Sequence, residues 1–188
     1  MATEEKNEKL NTETQEAKES KGKKKKKKSA LAFAIEFFVK IAVTAAVVAI
    51  LVIFIIGIYI NHSNSSYPMI KDGDLVITFK HATILTDDAI AYKHNGKICF
   101  GRVVARSGDV VDLKEDNLTV NGYGVFENAV YPTTAEGATI DFPYTVPEDT
   151  VFVLNDYRPD PEDSRKYGGI SLKDTKGKII LMIRRRGF

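Results

Sequence analysis

The sequence predicts a mainly β protein, an antiparallel β-sheet domain behind one N-terminal transmembrane helix. Two observations carry this. Residues 41–60 are 20 residues without a charge, rich in Ile, Val, Ala, Leu and Phe. At about 1.5 Å per residue, a helix of that length crosses the roughly 30 Å hydrocarbon core of a bilayer. Beyond it, short β-branched and aromatic runs alternate with turn dipeptides, and no stretch shows the apolar period of an amphipathic helix.

The first 28 residues are mostly Glu, Lys, Thr, Asn and Ala without apolar periodicity, which predicts a disordered tail. The tail ends in the lysine run 23–28, and residues 1–40 hold 11 Lys against 7 acidic residues. Lysines beside an apolar run stay on the cytoplasmic side and touch anionic lipid. The expected arrangement is therefore a single-pass protein of the cell membrane. Its N-terminus is cytoplasmic, residues 61–188 are extracytoplasmic, and the phospholipid membrane is a partner. Residues 31–40 are apolar apart from Glu36 and Lys40, so the helical region is expected over 31–60. The run exceeds the apolar core of a signal peptide, and no small-x-small site separates it from the domain, which predicts an uncleaved anchor.

The outer domain reads as strands over 75–79, 89–92, 98–105, 110–113, 118–120, 151–154 and 178–184. Asp72-Gly73, Asn95-Gly96, Ser107-Gly108, Asn121-Gly122 and Gly168-Gly169 punctuate them, and Asn95-Gly96 is a strong hairpin signal. Residues 131–148 are rich in Thr, Pro and Gly and read as a loop, part of a small flap around 121–150. Near the C-terminal end of the sequence, Arg184-Arg185-Arg186 reads as a solvated or lipid-facing end.

Composition removes several functions. Residues 61–188 carry 16 Lys plus Arg against 18 acidic residues, so no nucleic-acid partner is expected. Cys99 is alone and forms no intrachain disulfide. With only His62, His81 and His94 besides, scattered along the chain, no metal and no cofactor is expected. Cys99 itself reads as a small buried hydrophobe, because a reactive thiol needs an activating partner.

Three segments could carry chemistry. The first is Ser63-Asn64-Ser65-Ser66-Tyr67-Pro68-Met69-Ile70-Lys71-Asp72-Gly73-Asp74. The second runs from Gly101-Arg102-Val103-Val104-Ala105 through Gly108-Asp109 to Asn121-Gly122. The third is Asn155-Asp156-Tyr157-Arg158 followed by Asp163-Ser164-Arg165-Lys166-Tyr167-Gly168. Their order and spacing behind one anchor resemble the bacterial type I signal peptidase family, in its Gram-positive form, over nearly all of residues 31–188.

That resemblance implies a serine endopeptidase acting on signal peptides of exported preproteins. The family's Ser-Met-x-Pro-Thr motif, followed by Gly-Asp, places the nucleophile at Ser65, with Pro68, Gly73 and Asp74 in register. Ser66 stands for the usual Met and Met69 for the usual Thr. The hydroxyl two residues earlier, which helps bind the oxyanion in many members, is Ser63. The substrate would add as a strand beside Ile98, Cys99, Phe100 and Gly101. Arg102, Gly108, Asp109, Asp156, Arg158, Asp163, Ser164, Arg165 and Gly168 match framework positions.

Two departures concern proton transfer. A serine hydroxyl needs a base to take its proton, and the family uses a lysine kept neutral by burial. Here that position is Gly101, and the neighbouring Arg102 cannot deprotonate near neutral pH. The serine that helps hold that lysine is replaced by Pro161. Lys71, Lys97 and His62 are the substitute bases considered. Lys97 is on the strand face of Gly101 but about 13 Å from it. Two readings follow from the resemblance. One is an active signal peptidase. The other is a weak or inactive relative, like the pilus-associated members that carry Gly at this position, serving as accessory or chaperone with pilin and sortase as partners.

Overall fold

The computed structural model describes residues 30–114, 117–125 and 131–184 of the chain. The lysine run 23–28, residues 126–130 of the expected flap, and Arg185 and Arg186 lie outside the described residues. The chain divides into two compact units, residues 1–47 and 48–188. The described part of the first unit is helix, belonging to α1 (Ala30–Ile55), which has no buried residue. Its 26 residues are long and apolar enough to cross a membrane. Its two charges, Glu36 and Lys40, pair at 3.0 Å one turn apart.

The helix expected over 31–60 ends at Ile55, which corrects the sequence reading. Residues Ile56–Ile60 form β1 and pair along their whole length with β2 (Leu75–Phe79), from Ile56 opposite Phe79 to Ile60 opposite Leu75. The sequence Ile-Gly-Ile-Tyr-Ile favours this outcome. Gly57 weakens a helix by about 1 kcal/mol relative to Ala, whereas β-branched and aromatic residues suit a strand. Gly57 is also required by packing, since a Cβ there would lie 2.5 Å from the Thr78 hydroxyl.

The remaining strands are β3 (Ala89–His94), β4 (Lys97–Arg106), β5 (Val110–Lys114), β6 (Asn117–Val120), β7 (Tyr123–Gly124), β8 (Tyr144–Thr145), β9 (Thr150–Leu154), β10 (Ile170–Ser171) and β11 (Thr175–Ile183). A seven-stranded antiparallel sheet has the order β1-β2-β11-β3-β4-β9-β10, and a four-stranded sheet the order β7-β6-β5-β8. The mainly β, antiparallel class behind one N-terminal apolar helix is thus what the sequence predicts. Asn95 (φ 46°) and Gly96 (φ 79°) close the two-residue β3–β4 hairpin, with His94 opposite Lys97. Positive φ at both positions is the turn that an Asn-Gly pair serves.

Within the expected loop over 131–148, the two residues of β8 are the regular structure, and they join the second sheet. Tyr144 and Thr145 pair with Val111 and Val110, and the Tyr144 ring packs against Phe152, 5.5 Å between centroids. Burial of that aromatic ring in the cluster of Val104, Val111, Leu118, Val146, Phe152 and Leu154 outweighs the Thr, Pro and Gly around it. Two further clusters fill the large sheet. Ile90, Tyr92, Val103, Val151 and Val153 form one, and Ile70, Val76, Ala91 and Phe100 the other. β4 runs through all three, so its main chain is fixed where the functional turn meets it. β9 pairs with β4 only between Arg102 and Arg106, which leaves residues 97–101 without a partner on that side among the described strands.

Candidate active site

The serines lie in the turn that joins β1 to β2. Ser65 is half-buried, and its hydroxyl lies 2.6 Å from that of Ser63. The Ser65 N–H donates to the Ser63 hydroxyl at 3.1 Å. Ser66, next in sequence, is buried and donates its hydroxyl to the Phe100 carbonyl at 2.9 Å. The Tyr157 N–H donates to the Ser65 carbonyl at 2.9 Å. The first and third sequence segments thus meet at Ser65, and the second meets them through Arg102, which reaches Met69 and Asp156. Ser66→Ala would leave the buried Phe100 carbonyl without its donor. The expected cost is about 1–3 kcal/mol of folding stability, measured by urea unfolding of the solubilised chain. No change would contradict this role.

A groove of about 830 Å³ opens beside the turn, and its lining includes Ser63, Ser65, Ser66, Ile98, Cys99 and Phe100. Three of the four residues expected to flank a bound strand are therefore at the groove. The fourth, Gly101, is buried and is not part of that lining. A Cβ on Gly101 would lie 2.6 Å from Val153 Cγ1 and 3.0 Å from the Leu154 carbonyl oxygen. β9 has closed over the place from which a longer side chain would start. Among the described residues, no titratable side chain is hydrogen-bonded to the Ser65 hydroxyl. His62 and Lys97 line the groove, whereas Lys71 turns away and lies 5.2 Å over the Tyr67 ring. Pro161 packs against Gly137, where a Cβ would come 2.7 Å from the proline ring.

Cys99 faces Tyr92 across the β3–β4 pair, and Tyr92 and Tyr167 share a hydroxyl hydrogen bond at 2.8 Å. Burial pushes the Cys99 thiol up, only partly offset by Lys97, so the thiol is not activated at neutral pH. Burial likewise pushes the Tyr92 and Tyr167 phenols up, which keeps both neutral. His94 stacks on Tyr167 at 3.8 Å and completes this wall.

The other motif residues build the frame. Arg102 donates to both oxygens of Asp156, at 3.0 and 3.2 Å, and to Asp87, tying β4 to the chain after β9. Asp163 and Arg165 are fully buried and paired twice, at 3.0 and 2.8 Å, and Asp163 also accepts the Asn155 and Arg165 N–H groups. Ser164 accepts the Val153 N–H at 2.9 Å, and Arg158 donates to the Asn155 carbonyl. Gly168 takes φ 76° beneath the Tyr144 hydroxyl. Asp74 accepts the Lys71 N–H at 2.9 Å after Gly73 at φ 82°, and Arg184 reaches the Pro68 and Met69 carbonyls at 3.4 and 2.8 Å. Gly108 and Asp109 sit at the β4–β5 turn, outside the groove lining, where Asp109 accepts from the Arg106 N–H and Asn121. Sequence reasoning missed Asn61 and Ser66. Asn61 carries no charge or motif signature, and Ser66 is one of several serines whose burial emerges only once the turn meets β4.

The chain is similar to known proteins. Residues 34–183 match the family described as "Signal peptidase, peptidase S26". The chain is 31% identical over 153 residues to signal peptidase I of Bacillus caldolyticus, covering 73% of this chain and 84% of that protein. It is 30% identical over 149 residues to signal peptidase I T of Bacillus subtilis strain 168, covering 72% and 77%. Among solved structures it is similar to a signal peptidase I from Enterococcus faecalis V583, at 26% identity and a TM-score of 0.45, over 53% of this chain and 98% of that one.

Proposed function

The chain belongs to the signal peptidase family, peptidase S26, and on that premise we propose that it holds signal peptides of exported preproteins at the membrane and hydrolyses them slowly. The groove beside Ser65 receives the segment to be cut. The unpaired side of residues 97–100 supplies main-chain hydrogen bonds to it, as in strand addition. Ser65 is the nucleophile. Its hydroxyl oxygen attacks the scissile carbonyl, the C–N bond breaks as the hydroxyl proton passes to the leaving amine, and a water then cleaves the acyl–Ser65 ester, giving the carboxyl product and returning a proton to Ser65. Ser63 and the Ser65 N–H serve the oxyanion. In the free protein the Ser65 N–H already donates to the Ser63 hydroxyl oxygen, so an incoming carbonyl must displace the Ser63 hydroxyl.

The observation that carries the slow rate is Gly101. It offers no base, and β9 occupies the start of the path a lysine would need. Loss of a general base commonly costs about 10²–10⁴-fold in rate. A second reading keeps the groove and the missing base: holding is the task, and, as the resemblance to pilus-associated members implies, the held segment belongs to a pilin and a sortase acts beside it. In both, the N-terminus is cytoplasmic and the sheet domain lies outside.

The test uses the full chain in detergent with a fluorogenic Ala-x-Ala peptide. Binding is followed by anisotropy and cleavage by fluorescence. Ser65→Ala is expected to abolish the residual cleavage and to leave the dissociation constant within about twofold, since the hydroxyl acts in the transition state. Cleavage surviving in Ser65→Ala would remove Ser65 from the mechanism. Absence of binding by the parent would remove the groove.

A further inference from the structure

Asn61 is the first residue after β1 and is 3% exposed. Its main chain closes the base of the serine turn, with its N–H donating to the Asp74 carbonyl at 2.9 Å and its carbonyl accepting the Gly73 N–H at 2.8 Å. Its side chain points into the turn. Oδ1 accepts the Ser63 N–H at 3.2 Å, while Nδ2 donates to the Ser63 carbonyl and, at 3.0 Å, to the Lys71 carbonyl. One acceptor and two donor hydrogens are thus all used on main-chain groups. Both main-chain groups of Ser63 are held by this one side chain. The direction of the Ser63 Cα–Cβ bond is fixed accordingly, and from it the hydroxyl reaches the Ser65 N–H and the Ser65 hydroxyl. A side chain that only filled space would make none of these bonds.

We infer that Asn61 is a positioning residue, which sets the Ser63–Ser65 hydroxyl pair by clamping Ser63 to Lys71. The significance of that pair rests on the reading of Ser65 as nucleophile, but the clamp can be tested without any cleavage. Amide hydrogen exchange of the detergent-solubilised full chain would be followed at Ser63 and Ser65, with the β9 amides as reference, in Asn61→Ala, Asn61→Asp, Ser63→Ala and the double variant Asn61→Ala/Ser63→Ala. Asn61→Ala is expected to speed Ser65 exchange about tenfold or more while β9 stays protected, because the opening is local. Once the clamp is gone, adding Ser63→Ala is expected to change Ser65 exchange little further, as coupled residues are non-additive. Asn61→Asp is expected to lose protection when ionised, since a carboxylate cannot donate to the two carbonyls, and to regain part of it at low pH, where its O–H donates again. Unchanged Ser65 exchange in Asn61→Ala would overturn the inference. So would β9 exchange rising in step, which marks general destabilisation, or full additivity with Ser63→Ala. Failure of peptide binding with these exchange results intact would count against the proposed function instead.

Discussion

Asp163→Ala is expected to destabilise the sheet domain by about 3–5 kcal/mol, because it strands the Arg165 guanidinium in the interior. Both side chains of the pair are essentially inaccessible, 1% exposed for Arg165 and 0% for Asp163. Asp163 also holds the N–H groups of Asn155 and Arg165, and it caps the short helix Ser164–Tyr167. Arg165 in turn donates to the Thr134 and Asp160 carbonyls, so the pair fastens the 131–140 segment to the chain after β9. Removal of the carboxylate therefore breaks bonds on two sides at once. Urea unfolding in detergent, followed by tyrosine fluorescence, measures the loss. Asp163→Leu/Arg165→Met is expected to recover part of it, since an apolar pair leaves no buried charge. It cannot recover all, because the main-chain N–H groups of residues 155 and 165 and the Thr134 carbonyl would still lack the partners that Asp163 and Arg165 supply. A loss in Asp163→Ala below about 1 kcal/mol would show that the pair is not a fastening of the fold.

Gly101→Lys carries the second large effect, and its sign differs between stability and rate. The new Cβ meets Val153 Cγ1 at 2.6 Å and the Leu154 carbonyl oxygen at 3.0 Å. Val153 is fully buried in the cluster with Ile90, Tyr92 and Val103, so it has little room to yield. Overpacking of this kind costs about 1–3 kcal/mol. The single variant is thus expected to be less stable than the parent, with a lysine whose stem is forced aside. Val153→Ala removes the Cγ1 obstacle. In Gly101→Lys/Val153→Ala the stem gains space and the ammonium group passes over buried surface, which lowers its pKa toward the range of a base. Equal stability of Gly101→Lys and the parent would show that β9 does not close the position.

Much of this architecture is legible from local chemistry. The Asn95-Gly96 turn and the apolar, aromatic and β-branched runs on either side give the β3–β4 hairpin, because turn type and residue preference agree there. The same local reasoning fails for residues 56–60. Apolar content alone does not separate the end of a membrane helix from the start of a strand, and the decision is made by pairing with β2, a distant partner. It fails again at Tyr144–Thr145, where burial against Phe152 overrides a turn-rich composition. The site divides in the same way. Ser63, Ser65 and Gly101 follow from motif spacing. Asn61 and Ser66 do not, since their importance comes from which carbonyls the folded turn brings to them. Ser65 lies ten residues past Ile55, with a paired strand between, so the turn is attached to the sheet and is not a loose juxtamembrane linker.

The central claim is that the nucleophile turn is intact and the missing base limits the chemistry. The measurement that tests it most directly is the single-turnover cleavage rate of a bound Ala-x-Ala peptide, for the parent and for Gly101→Lys/Val153→Ala, at saturating enzyme and neutral pH. The predicted result is slow, Ser65-dependent cleavage by the parent and a rate higher by about 10²-fold or more in the double variant, the scale of a restored general base. A parent rate equal to that of a folded double variant would contradict the claim, because Ser65 would then already have its base.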